Sequence, residues 1–185
     1  MAAGLAALLY VLFAASSKPE TASGLRQYAR GEMARLEFMD DPPPFPGRPV
    51  QNAARAESAL GDHYSGDVVV LNLWATWCAP CVEEMPTLGG LARRFEGRNV
   101  DVVVVSFDSE AARSEAEAML ARLTGGALDF WIDPSRGMMF DQRARGMPVT
   151  IIYDRNRREV ARLTGGADWA GDDAAALIEA VLAEQ

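Results

Sequence analysis

The sequence predicts an α/β domain with a parallel core and an antiparallel hairpin at one edge, preceded by an apolar, membrane-directed segment. Two observations predict the domain. Asp67–Ala75 (DVVVLNLWA) and Asn99–Phe107 (NVDVVVVSF) are continuous apolar and β-branched runs, the pattern of strands buried on both faces. Segments of helical period alternate with these runs, which calls for crossover helices and a parallel sheet. Size agrees, since 185 residues is one domain and an appendage at about 150 residues per domain.

In chain order, Met1 to Ser17 carries no charged side chain, and Ala2–Ala15 is apolar except for Gly4. Lys18 is the first charge and the only lysine. A bilayer span takes ~20 apolar residues, with a lower limit of ~17. Residues 1–17 are therefore read as a signal anchor; a signal peptide cleaved after Ser16 and a buried helix are the alternatives. Residues 18–48 are read as a tether and lead-in, broken by Gly24, Gly31 and the Pro42-Pro43-Pro44 run. Within it Leu25–Met39 is expected to form a short amphipathic helix. The prolines are expected to act as an extended spacer, with a ligand for a partner as the alternative. A chain beginning near Gly31 is expected to fold and act without residues 1–17.

The domain proper is placed at 49–185. After the first apolar strand, a helix starts near Cys78, is kinked at Pro86, and buries Leu88, Leu91 and Phe95. Glu110–Leu123 is a helix, Leu128–Ile132 a third strand and Met138–Arg145 a short helix stopped by Gly146. Val149–Asp154 and Glu159–Leu163 form a hairpin around Arg155-Asn156-Arg157. Trp169–Glu184 is the terminal helix, with Asp168 as its expected N-cap.

Composition narrows the function. Hydrophobic residues at 49% and charged residues at 24% are globular values. The net charge of −8, spread without long runs, argues against nucleic acid, which wants a basic face. One histidine, His63, and two cysteines, Cys78 and Cys81, fall short of a metal site on their own, so no metal or other cofactor is expected. His63 reads as a solvated loop residue.

The chemistry converges on Trp77-Cys78-Ala79-Pro80-Cys81, which follows a buried strand and opens a helix. Unpaired N–H groups and positive potential at a helix amino terminus stabilise a thiolate, lowering a cysteine pKa from ~8.5 into the range ~3.5–7.5. Two intervening residues let the sulfurs meet within one turn. Cys78 reads as the exposed nucleophile and Cys81 as the buried resolving thiol. Two core cysteines, or half of a metal site, are the alternatives.

These residues resemble the thioredoxin superfamily. More closely, they resemble its membrane-tethered TlpA/ResA/CcmG branch of thiol-disulfide oxidoreductases, through Leu71–Cys81 (LNLWATWCAPC), Val82–Pro86 (VEEMP) and Gly146–Thr150 (GMPVT). Gly165–Trp169 (GGADW) resembles the TlpA subgroup. The resemblance implies a thioredoxin-like fold with a central αβ insertion, here Glu110–Leu123 and the strand after it. It implies that Glu84, one turn beyond Cys81, takes the proton of the resolving thiol, because Asn72 stands where thioredoxin keeps an aspartate. It also implies that Pro148 is a cis-proline, exposing the backbone of Met147 to an extended substrate. Trp77 reads either as part of the contact surface or as core, and Trp74 as core. One departure is that the branch's amino-terminal hairpin is hard to find in Gln51–Asp67 (QNAARAESALGDHYSGD), where a short helix is the alternative.

The resemblance implies a periplasmic enzyme on the bacterial inner membrane, held by its amino terminus. It would draw electrons from a DsbD- or CcdA-type membrane donor. Its clients would be disulfide-bonded proteins: apocytochrome c before haem attachment, or copper-site assembly proteins of haem-copper oxidase. A disulfide-introducing oxidant and a redox-inert copper carrier are the competing functions. The carrier is disfavoured by the narrow cysteine spacing and the lack of a histidine after His63.

Overall fold

The two longest apolar runs take the middle of the sheet, where both faces are covered. In the computed structural model, residues 24–184 are described, and the anchor or signal segment expected at 1–17 lies outside them. The strands are β1 (Val50–Asn52), β2 (Glu57–Ser58), β3 (Val68–Trp74), β4 (Val100–Ser106), β5 (Phe130–Ile132), β6 (Val149–Tyr153) and β7 (Glu159–Thr164). The helices are α1 (Ala79–Arg94), α2 (Arg113–Thr124), α3 (Gly137–Asp141) and α4 (Asp172–Ala183). One seven-stranded sheet runs β2-β1-β5-β4-β3-β6-β7. The β3–β4 and β4–β5 pairs are parallel, and β6 and β7 form the antiparallel hairpin.

Alternation along β3 divides the core. Val68, Val70 and Trp74 face a cluster completed by Leu88 and Leu91 of α1, its C-cap Phe95, and Leu177, Ile178 and Val181 of α4. Val69, Leu71 and Leu73 face a second cluster with Phe107, Trp131, Met138 and Tyr153. Period-2 side-chain placement puts Asn72 on the α1 side, fully buried.

Several expected boundaries move. α3 ends at Asp141 instead of reaching Arg145, because Arg143 takes a left-handed backbone (φ 50°) and donates from its side chain to the Asp41 carbonyl. α4 begins at Asp172 with Gly171 as N-cap instead of at Trp169 with Asp168. Asp168 instead accepts from the Ala170 N–H at 3.0 Å, and the Trp169 N–H donates to Thr87 Oγ1 at 3.1 Å, holding that segment as a turn. The amino-terminal hairpin exists as β1 and β2, with Asn52 Oδ1 accepting from the Ala56 N–H at 3.0 Å. Buried Arg113 of α2 fixes it from outside, donating to the Asn52 carbonyl at 3.0 Å and to the Gln51 side chain. The short helix weighed for this region is a single 3-10 turn, Leu60–Asp62.

The lead-in is part of the domain. Leu25–Met39 is not one amphipathic helix but the 3-10 turns Arg26–Tyr28 and Gly31–Arg35, parted where Gly31 adopts φ +52°. Leu25, Met33 and Leu36 are nonetheless buried in the α1/α4 cluster. Glu37 exchanges backbone hydrogen bonds with Arg162 of β7, at 2.7 and 2.9 Å. Pro43 is buried too, and the Phe45 ring meets Tyr153 edge-on at 4.9 Å. The proline run thus packs on the domain. Relative to a chain starting at Gly24, one starting at Gly31 loses Leu25. That loss should resemble Leu25→Ala, about 2–5 kcal/mol, read from urea denaturation. Equal midpoints for the two truncations would show that Leu25 contributes nothing.

Candidate active site

The site sits where β3 ends and α1 begins. The chain leaving β3 is clamped by buried Asp108, which accepts from the Thr76 N–H at 3.0 Å, Thr76 Oγ1 at 2.6 Å and Ser106 Oγ at 2.8 Å. The Cys78 N–H then donates to the Ala75 carbonyl at 3.1 Å, and Cys78 becomes the N-cap of α1. Neither Asp108 nor Thr76 stands out in the sequence: a lone aspartate beyond a strand gives no signal until the parallel pairing of β3 and β4 brings it to Thr76.

Cys78 and Cys81 form a disulfide, with Cα atoms 5.3 Å apart. Their exposures differ in the expected direction, 7% for Cys78 and 0% for Cys81. Trp77 is 60% exposed, so it belongs to the surface, while Trp74 is wholly core. The Met147–Pro148 bond is cis, Pro148 is buried and Met147 half-buried. The loop after β7 bridges the two halves of the site. The Gly165 N–H donates to the Pro148 carbonyl at 2.8 Å, and a Cβ on Gly166 would lie 3.2 Å from the Pro80 carbonyl oxygen, so the glycine permits the approach.

Glu84 is buried, whereas its neighbour Glu83 is exposed. Its Oε1 accepts from Asn72 Nδ2 at 2.7 Å; its Oε2 accepts from the Ala167 N–H at 3.0 Å and Trp169 Nε1 at 3.2 Å. Asn72 Nδ2 also donates to Thr150 Oγ1 at 2.9 Å. Burial pushes the Glu84 carboxyl up to about 7, against the opposing pull of these three donors and of Arg35. A small cavity of about 340 Å³, lined by Glu83, Glu84, Thr87, Pro80, Ala167 and Asp168 among others, opens beside it. A carboxyl in that state exchanges a proton near neutral pH, and the cavity gives water a route to it. Ala167 and Trp169, which set its hydrogen bonding, escape sequence reasoning because they lie more than eighty residues away. The GGADW segment that contains them was the available signal.

His63 lies elsewhere, exposed, bonded to Ser58 Oγ at 2.6 Å and packed on Trp131 at 4.8 Å between ring centroids. Among the described residues no group of three or more His, Cys, Asp or Glu side chains is placed to hold a metal ion.

Comparison with known proteins agrees with this geometry. The family model described as the AhpC/TSA family matches residues 44–168. The thiol:disulfide interchange protein HelX of Rhodobacter capsulatus is 28% identical over 112 residues, 60% of each chain. The thiol-disulfide oxidoreductase ResA of Geobacillus thermodenitrificans is 28% identical over 102 residues, 55% of this chain and 57% of that one. The chain thus spans less than two thirds of the length of these relatives. A crystal structure assigned to a thiol:disulfide interchange protein DsbE of Chlorobium tepidum superposes with a TM-score of 0.67 at 24% identity, covering 78% of this chain and 99% of that one. That likeness shows the thioredoxin-like fold. The family model, matched over more than half of the chain, shows that the chain belongs to the AhpC/TSA family, and the named relatives fit the TlpA/ResA/CcmG group that the sequence resembles.

Proposed function

We propose that the protein is a thiol-disulfide oxidoreductase that reduces client-protein disulfides on the periplasmic face of a bacterial inner membrane, with 1–17 as its anchor. The observation that carries this reading is Glu84: a buried carboxyl, poised to gain or lose a proton near pH 7, one helical turn beyond the buried member of the cysteine pair.

In the reduced protein Cys78, at the amino terminus of α1, is the thiolate. It attacks one sulfur of a client disulfide, forming a mixed disulfide and releasing the client's other sulfur as a thiolate. Cys81 gives its proton to ionised Glu84 and attacks Cys78 Sγ. The mixed bond breaks, the client's second thiolate leaves, and the Cys78–Cys81 disulfide remains. Two electrons have passed to the client; protons from Glu84 and water complete its two thiols. A DsbD- or CcdA-type dithiol donor restores the reduced state. Trp77, Met147 and Pro148 frame the groove, where the Met147 backbone pairs with an extended client segment.

The names of HelX and ResA support thiol-disulfide exchange as the chemistry. Clients in cytochrome c or haem-copper oxidase assembly are the substrates we propose. Two measurements test this. Cys81→Ser protein incubated with membranes should retain mixed disulfides with an apocytochrome c or a copper-site assembly protein. The reduction potential should lie near that of thioredoxin, about −270 mV. A value near the oxidant range, about −120 mV, would reverse the direction of electron flow and sink the reductant role.

A further inference from the structure

Resting on the exchange reading above, we propose that the surface beside Cys78 selects client segments whose reactive cysteine is flanked by an apolar residue and a carboxylate. Trp77 and Phe140 receive the apolar side chain, and Arg136 receives the carboxylate.

Among the described residues, two large apolar side chains are strongly exposed, Trp77 at 60% and Phe140 at 81%. Arg136 lies against the first and four residues before the second. The Arg136 guanidinium lies 5.7 Å from the centre of the Trp77 ring, and Phe140 follows Arg136 by one turn of α3. Trp77 in turn immediately precedes Cys78. Exposed aromatics beside an arginine are the composition of a recognition surface rather than of an ordinary solvated face.

Arg136 is held in place but not neutralised. Its Nε donates to the Phe107 carbonyl at 3.2 Å, leaving the rest of the guanidinium for a ligand. No carboxylate forms a salt bridge with it among the described residues, although its neighbours are paired: Arg48 with Asp141 at 2.7 Å, and Arg143 with Asp41 at 3.6 Å. Asp133, three residues earlier, is turned inward and satisfied by the Ser135 N–H and Oγ and the Met138 N–H. Arg136 is thus a cation without a carboxylate partner among the described residues, against the ring of the residue that precedes Cys78, on a chain of net charge −8. A guanidinium partly fixed by a backbone carbonyl and an aromatic face is pre-organised for a carboxylate. Glu83 and Asp168 line, with Glu32 and Pro80, the separate cavity beside Glu84.

The test uses extended peptides, each joined through one cysteine to a fluorescent thiol, with Leu and either Asp or Lys next to the cysteine. Reduced wild-type protein should release the fluorophore from the Asp peptide at least about threefold faster than from the Lys peptide at low salt. The ratio should approach one near 1 M salt, where the screening length is about 3 Å. Arg136→Glu should invert the preference, and Arg136→Gln should bring it close to one. Phe140→Ser should slow both Leu peptides relative to versions carrying Ser. A wild-type ratio of one, or a ratio unmoved by Arg136→Glu, overturns the proposal. Hydroxyethyl disulfide, small and uncharged, separates the two levels: failure of the wild-type protein to reduce it would refute the exchange reading, while normal reduction with no peptide preference refutes only the selection by Arg136.

Discussion

Cys78→Ser should abolish disulfide reduction, and Cys81→Ser should leave a nucleophile that attacks once and stalls. The two sulfurs differ by position. Cys78 caps α1, where the first N–H groups of the helix favour its thiolate, and it is the less buried of the two residues, 7% exposed against 0%. Cys81 is fully buried and faces only its partner sulfur and the core. An insulin-reduction assay should therefore read zero turnover for Cys78→Ser. For Cys81→Ser, turnover should also vanish, but one equivalent of mixed disulfide should accumulate and be visible by mass. Alkylation of the reduced wild-type protein at mild pH should label Cys78 first; prior labelling of Cys81 would reverse the assignment of roles.

Glu84→Gln should slow exchange near neutral pH by at least about tenfold, since a positioned general base contributes typically ~10²–10⁴-fold. Glu83→Gln, one residue away and exposed, is the control. Because the Glu84 carboxyl is pushed up to about 7, the fraction able to accept a proton rises through neutrality, and the wild-type rate should rise with it. The Gln variant should lose that rise. Stability should move the opposite way. A carboxyl whose folded pKa lies above its ordinary 4.5 binds more protons folded than unfolded between those values. Wild-type stability therefore falls as pH climbs from about 5 to 8, by about 3 kcal/mol at most, whereas Glu84→Gln lacks that slope. Equal and small kinetic effects from both variants would place the proton acceptor elsewhere.

The parts of this architecture that announce themselves in sequence are those dictated by local composition. DVVVLNLWA and NVDVVVVSF could be little other than central strands, and a cysteine pair opening a helix after one of them marks the candidate site. Glu84 and Asn72 are singled out by the family resemblance, and the structure brings them into hydrogen-bond contact at 2.7 Å. What stayed hidden depends on partners far along the chain. The β1–β2 hairpin owes its order to Arg113 of α2, not to its own weak strand character. Leu25 and Met33 read as the face of an amphipathic helix in a lead-in segment, and only the tertiary structure reveals them as core residues carried by separate short turns. Trp169 reads as the first residue of a helix until its indole is seen donating to Glu84, which keeps the turn open.

The backbone exchange between Glu37 and Arg162 also bears on solubility. β7 ends the sheet, and a bare terminal strand offers unpaired N–H and C=O groups to any other extended chain. Here the lead-in lies against that border, and all of β7 from Glu159 to Leu163 is shielded. At the opposite border β2 is only two residues long, too short to template a neighbour. The sheet is thus closed to uncontrolled growth on both flanks. In the function proposed above, a client's extended segment would then pair beside the cis-proline and not along a bare border of the sheet.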